Sequence, residues 1–219
     1  MNIFDIVGPV MIGPSSSHTA GAVRIGKITR MLLNEEVAEV LIKLHGSFAD
    51  TYKGHGTDNA LLGGLMGFST EDERIRQSSD LAKKAGMNYR IETVSLHDAH
   101  PNTAVIEARG KSGKKVTVTG ASVGGGNIVI KKINGLDVEF TGQYHTLIVH
   151  HRDKPGVIAN VTGTVGHNNI NIAGMRVYRS SKGGEAIMVI ETDQQVNEKA
   201  VAEIKREANV VEAIYIEII

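Results

Sequence analysis

Asp153-Lys154-Pro155-Gly156-Val157-Ile158-Ala159 is the stretch on which the reading of the fold turns. Leu147 to His151 before it reads as a strand. Pro155 to His167 reads as a helix, with Asp153 just ahead of the first turn, Pro155 suited to that turn, and Gly156 allowing close backbone approach. Working outward, Ile170 to Tyr178 is a strand, Gly183-Gly184 a turn, Ala186 to Thr192 a strand, Asn197 to Glu207 a helix and Val210 to Ile216 a strand. Residues 146–219 thus form a complete βαββαβ unit of ferredoxin-like type. Such a unit leaves an edge strand and one open face, so the pattern predicts homodimerisation. His145, His150 and His151 are not read as metal ligands, because neighbouring strand residues point to opposite faces.

Upstream of a boundary after Gly142, residues 1–142 have a different pattern. Ala22, Val23, Ile25, Ile28, Met31 and Leu32 predict an amphipathic helix from Ala20 to Leu33, and Ala38, Val40, Ile42 and Leu44 predict a strand ending at His45-Gly46. Gly46 to Asp58 reads as a polar, glycine-punctuated loop, followed by an apolar helix from Ala60 to Met66 and a charged one from Glu71 to Ala85. Strands follow at Tyr89 to Leu96, Thr103 to Ala108, Lys115 to Thr119, Asn127 to Ile133 and Leu136 to Phe140. Gly110 to Gly113 and Asn134-Gly135 make the turns. The fold class expected is α+β: an N-terminal α+β domain with an antiparallel sheet, then the βαββαβ unit.

Composition narrows the function. The 219 residues carry 24 basic and 24 acidic side chains and no cysteine. Balanced charge without a basic run argues against a nucleic-acid partner. Without cysteine the chain forms no disulfide and supplies no thiolate to an iron–sulfur cluster or a zinc site. Met1 to Ile12, broken by Gly8 and Pro9, lacks a secretory n-region, and no apolar run reaches membrane-spanning length. A cytoplasmic protein with no membrane partner is expected.

Four segments of the first domain carry chemistry. Gly13-Pro14-Ser15-Ser16-Ser17-His18-Thr19 sets three hydroxyls and an imidazole at a helix start, where unpaired N–H groups and the helix dipole favour an anion. One hydroxyl suffices as an N-cap; three with a histidine suit a carboxylate ligand. His55 lies between two glycines ahead of the next helix, in a segment read as an exposed loop. His97-Asp98-Ala99-His100-Pro101-Asn102 has His-x-x-His spacing, but it sits in a turn and has no further ligand set, so His100 and Asn102 read as pocket-lining or solvated polar groups. Ser122-Val123-Gly124-Gly125-Gly126 lets backbone N–H groups approach an anion but lacks the lysine and spacing of a phosphate loop, and by itself it reads more often as a bulge or bend.

Met11 to Thr19, Lys53-Gly-His-Gly-Thr-Asp58, His100-Pro-Asn102 and Ser122-Val-Gly-Gly-Gly126 together closely resemble the β component of bacterial iron–sulfur L-serine dehydratases. Residues 146–219, with Asp153 to Ala159 and Asn168-Asn-Ile-Asn-Ile172, resemble an ACT domain. The resemblance implies a two-chain enzyme that converts L-serine to pyruvate and ammonia, with a 4Fe-4S cluster held by cysteines of a separate α subunit and giving Lewis-acid help to the departing hydroxyl.

It further implies roles for this chain. Ser15, Ser16, Ser17 and Thr19 would hold the carboxylate, with Ser122 a weaker addition. His55 would be the base, because a neutral imidazole titrates near working pH, and His18, His100 and Asn102 would orient substrate or base. Asp153, Pro155, Gly156, Asn169 and Asn171 would form an effector pocket at a dimer interface, with L-serine the expected effector. The first domain is also similar to the allosteric substrate-binding domain of some D-3-phosphoglycerate dehydrogenases, so a regulatory amino-acid-sensing protein without catalysis is the rival reading.

Overall fold

The computed structural model describes residues 10–219; the expectation for residues 1–9, within the segment read as lacking a signal, lies outside the described residues. The chain divides into two compact units, the described part of Met1–Gly135 and Leu136–Ile219.

In the first unit a five-residue π-helical turn, Ser16–Ala20, leads into α1 (Gly21–Leu33) and β1 (Val37–His45). There follow α2 (Ser47–His55), α3 (Thr57–Leu65), a 3-10 turn (Glu73–Gln77), α4 (Ser78–Lys84), β2 (Asn88–Val94), β3 (Thr103–Gly110), β4 (Lys115–Gly124) and β5 (Asn127–Ile133). The strands lie in the order β2-β1-β3-β4-β5. β1, β3, β4 and β5 are antiparallel neighbours, as expected, while β2 joins the edge parallel to β1. A parallel neighbour needs a long crossover, and α2, α3 and α4 supply it.

α1 buries Ala22, Val23, Ile25, Ile28, Leu32 and Leu33 completely or nearly so. Its other neighbour is α3, and the two helices touch backbone to backbone: a Cβ on Gly64 would lie 2.1 Å from Val23 O, and one on Gly26 would lie 2.4 Å from Leu61 O. The segment expected as a loop is the helix α2. Its helical period is hard to see because Phe48 is the one residue of α2 that is fully buried. The charged segment expected as one helix is a 3-10 turn capped by Asp72, which accepts from Arg74 N at 3.0 Å, followed by the short α4.

The second unit contains β6 (Leu136–Phe140), β7 (His145–Arg152), α5 (Val157–His167), β8 (Ile172–Arg179), β9 (Glu185–Thr192), α6 (Glu198–Lys205) and β10 (Val210–Ile216). The four-stranded sheet has the order β10-β7-β9-β8 with antiparallel neighbours throughout, the ferredoxin-like arrangement. Leu147, Val149, Met188, Ile190 and Ala213 pack under Val157, Val161, Val165, Ala200 and Ile204 of the two helices. The face turned away from the helices is not open, contrary to expectation. β6 packs against β8 and β9, Glu139 pairs with Arg176 at 3.0 Å, and Ile187 and Val189 are buried there. The edge strands of this sheet are β8 and β10. No helix among the described residues is long and apolar enough to cross a membrane.

Candidate active site

Ser15 to Thr19 form the start of a continuous helical segment, but its first turn is wide. Thr19 N bonds Ser15 O at 2.8 Å, while Gly21 N bonds Ser16 O, the spacing of a π-turn. Turns of this kind concentrate at functional sites. The turn brings two hydroxyls to one imidazole. His18 Nδ1 lies 3.0 Å from Ser17 Oγ and 3.3 Å from Ser15 Oγ, and Ser15 Oγ accepts the His18 backbone N–H at 3.3 Å. Ser16 opens the turn half-buried, and Thr19 is buried with its hydroxyl 3.5 Å from His55 O, a long contact.

The other side of His18 is built by α2. Gly46 has φ 56° and ψ −129°, and a Cβ there would lie 2.7 Å from Pro101 O, so only glycine lets β1 turn this sharply into the helix. The turn places Ser47 Oγ 3.1 Å from His18 Nε2 and sets the Phe48 ring edge-on to the imidazole at 5.3 Å between centroids. One helix length later His55 returns to the site, its ring centroid 4.7 Å from that of His18. His55 thus ends a helix rather than lying in an exposed loop; it is half-buried, and its Nδ1 is buried without a partner. Burial, and next the neighbouring His55, hold the His18 pKa below the ordinary imidazole value, so His18 is neutral near pH 7.

β3 and β4 bring the remaining groups. Ser122 is completely buried, with its N–H bonded to Asn102 O at 3.0 Å and its hydroxyl without a partner. A Cβ on Gly21 would lie 2.1 Å from that hydroxyl, so α1 and β4 meet at this point. Asn102 Nδ2 reaches Ser122 O at 3.5 Å, and Asn102 Oδ1 is buried and unpaired. His100 is exposed; its Nδ1 accepts from Asn102 N at 3.1 Å, and its carbonyl accepts from Thr103 Oγ1 at 2.6 Å. The Gly124-Gly125-Gly126 run is a turn after a register shift in β4, with φ positive at all three residues, and Arg24 Nη1 donates to Gly126 O at 2.7 Å. His97 pairs with Asp98 at 2.8 Å, both well exposed.

A buried polar atom without a partner costs roughly 1–3 kcal/mol. His55 Nδ1, Asn102 Oδ1 and Ser122 Oγ, together with Thr57 Oγ1 at the start of α3, all sit in or beside this cluster. Such a concentration fits a site whose remaining partners are a ligand or another chain.

In the second unit Asp153 Oδ2 accepts from Gly183 N at 3.0 Å and from Arg179 Nη1 at 3.0 Å, and these contacts hold its carboxyl below the usual carboxylate range. Pro155 and Gly156 are exposed just before α5. Asn169 (φ 55°) and Asn171 lie past the far end of α5, where Asn171 Nδ2 donates to Asp193 at 2.6 Å. An eleven-residue helix separates the two groups by about 16 Å, so one copy does not bring them together. His151, beside the Asp153 turn, is buried with Nε2 unpaired.

The serine dehydratase beta chain family model matches residues 2–133, and the ACT domain model matches residues 145–209. The chain belongs to the serine dehydratase beta chain family. It is 42% identical over 211 residues to the probable L-serine dehydratase beta chain of Bacillus subtilis, covering 96% of each chain. It is 38% identical over 216 residues to the L-serine dehydratase beta chain of Peptoniphilus asaccharolyticus, covering 98% of this chain and 97% of the relative. It is also 31% identical over 191 residues to the D-3-phosphoglycerate dehydrogenase of Bacillus subtilis, covering 86% of this chain but 36% of that enzyme.

There is no cysteine in the sequence, and among the described residues no group of three or more His, Cys, Asp or Glu side chains could hold a metal ion. Ser47 is the site residue that the sequence pattern did not mark; the available signal was its place directly after Gly46, at the end of a strand.

Proposed function

We propose that this chain is the β subunit of an L-serine dehydratase, deaminating L-serine to pyruvate and ammonia in the cytoplasm with an α subunit whose cysteines hold a 4Fe-4S cluster. The observation that carries the reading is the neutral, hydroxyl-bracketed His18 beside a half-buried His55 with an unpaired ring nitrogen. Binding a zwitterion alone would not need two imidazoles in contact.

The substrate carboxylate is held at the Ser15–Ser17 turn, with Thr19 and Ser122 at its margins. Hydrogen bonds to the carboxylate stabilise the charge that develops as the α-proton leaves. His55 takes that proton at a ring nitrogen, and a neutral His18 at 4.7 Å opposes the resulting imidazolium less than a second cation would. Asn102 and His100 orient the substrate from the β3 side. Lewis-acid help to the departing β-hydroxyl would come from the partner's cluster when bound.

Asp153, Pro155, Gly156, Asn169 and Asn171 form the effector site, and the length of α5 supports a pocket completed by two copies of the second unit. L-serine is the expected effector.

Anaerobic co-expression with a cysteine-bearing partner, followed by a pyruvate assay with L-serine and L-threonine, tests the assignment. Pyruvate from L-serine only with both chains present is the expected result. Amino-acid binding without pyruvate under any pairing would establish the regulatory reading instead.

A further inference from the structure

Arg24 of α1 is a half-buried cation without a counter-ion. Its Nη1 donates to Gly126 O at 2.7 Å, and its Nε is buried without a partner. Among the described residues no carboxylate pairs with the guanidinium. Burial lowers its pKa, yet a guanidinium stays charged at any working pH. Charges taken out of water are ordinarily paired, because leaving one alone is costly.

Two close approaches fix where that charge sits. A Cβ on Gly120 would lie 3.0 Å from Ile25 Cγ2, and one on Gly21 would lie 2.1 Å from Ser122 Oγ, so β4 runs antiparallel to α1. Four residues of helix and two of strand each advance about 6–7 Å, so one more step of that size brings Gly124 level with Ser17. β4 packs against the Ser16–Ala20 turn accordingly. A guanidinium that reaches Gly126 O therefore leans back along α1 toward the hydroxyl turn, the direction long helical side chains favour. Gly21, three residues earlier on the same face, has no side chain to obstruct it.

The Ser15 and Ser17 hydroxyls and the neutral His18 offer hydrogen bonds but no positive charge. Arg24 supplies that charge, and the contact with Gly126 leaves Nη2 for an anion. On β3, Asn102 turns its Nδ2 to Ser122 O, so its buried and unpaired Oδ1 is an acceptor, which suits an ammonium group. A cation at one end and an acceptor at the other match the two charged groups of an α-amino acid.

We propose that Arg24 is a substrate-binding residue: its guanidinium, oriented by the Gly126 carbonyl, pairs with the carboxylate of L-serine at the Ser15–Ser17 turn. This rests on the serine dehydratase reading of the site and adds the charge that the hydroxyls lack.

The test compares native and Arg24→Gln enzyme, each assembled with its cysteine-bearing partner, in pyruvate formation from L-serine. L-alanine and L-alaninamide serve as inhibitors: both carry the amino group and lack the hydroxyl, and only L-alanine has the carboxylate. Arg24→Gln should raise the KM for L-serine and the Ki of L-alanine about thirtyfold, the scale of a charge-assisted pair, and leave the Ki of L-alaninamide where it was. Arg24→Lys, which keeps the charge, should retain the preference for L-alanine over its amide. A merely structural contact with Gly126 would weaken both inhibitors by the same factor, and that result would overturn the proposal. So would an unchanged KM, or native enzyme inhibited equally by the two compounds. Should Arg24→Gln fail to fold, Arg24→Met keeps the apolar stem, removes every N–H and carries the same expectations. Native enzyme that forms no pyruvate fails the dehydratase reading itself. Titration calorimetry with the two inhibitors on the same assembled proteins then decides on Arg24: a preference for L-alanine that disappears in Arg24→Gln supports the pairing, and isotherms indifferent to the substitution overturn it.

Discussion

The hydroxyl–imidazole cluster of the first unit and the Asp153 turn of the second differ in how they satisfy their central polar group. Around His18 the chain buries polar atoms and leaves several unpaired: His55 Nδ1, Thr57 Oγ1, Asn102 Oδ1 and Ser122 Oγ. At the turn, the Asp153 carboxylate is already satisfied by Gly183 N–H and Arg179, close to solvent, and the unpaired polar atom beside it is the buried Nε2 of His151. The first arrangement costs stability and makes sense if a ligand or partner repays it. The second costs little to open, which suits a pocket that exchanges an effector. A catalytic site built into a rigid core and a sensor built on a surface turn are what this contrast would mean in function.

The contrast breaks most readily at His55. His55→Ala should lower kcat for L-serine by about 10² or more while the two chains still associate, measured by anaerobic pyruvate formation and co-purification. Near-normal turnover would remove the imidazole from the mechanism and leave the unpaired atoms without a catalytic explanation.

Packing gives the next largest effect. Gly21→Ala sets a methyl 2.1 Å from the buried Ser122 hydroxyl and should destabilise the chain by ~1–3 kcal/mol in denaturant unfolding. Asp153→Asn, by contrast, loses a surface ion pair with Arg179 and should change stability less. A larger loss from Asp153→Asn than from Gly21→Ala would reverse the contrast between core and turn.

Ser16→Ala should raise KM for L-serine about tenfold and spare kcat. Unchanged KM and kcat would move the carboxylate away from the π-turn. In titration calorimetry on the full chain, Asp153→Asn should weaken L-serine binding to a comparable degree; identical isotherms would leave the second unit as a structural dimeriser.

The smallest effect is on pH dependence. Burial holds the folded His18 below the ordinary imidazole pKa, so the unfolded chain binds the proton more readily. The contribution of a neutral His18 is complete above about pH 6.5 and is lost as pH falls from there toward the folded value. The fall in melting temperature below about pH 6.5 should be shallower in His18→Gln than in the native chain; parallel curves would assign it to another group.

Much of this was readable from residues alone. The turn chemistry at Asp153 to Gly156 and the alternation of strands with helices specified the βαββαβ unit, and the absence of cysteine placed any cluster outside this chain. The Ser15 to Thr19 run and His55 were marked by residue type. The helix α2 was not legible, because a segment that buries only Phe48 has no hydrophobic period to read. The covered sheet face was not legible either, because β6 reaches it from outside the repeating pattern of the second unit.

Sequence determined which elements form and which chemical groups are available, since backbone preference and side-chain type are local properties. Tertiary structure alone decided that His18 is held at both nitrogens while His55 keeps one free. Those contacts join residues 29 and 37 positions apart in the chain, through a turn at Gly46 that depends on the distant Pro101, and no local rule spans such separations.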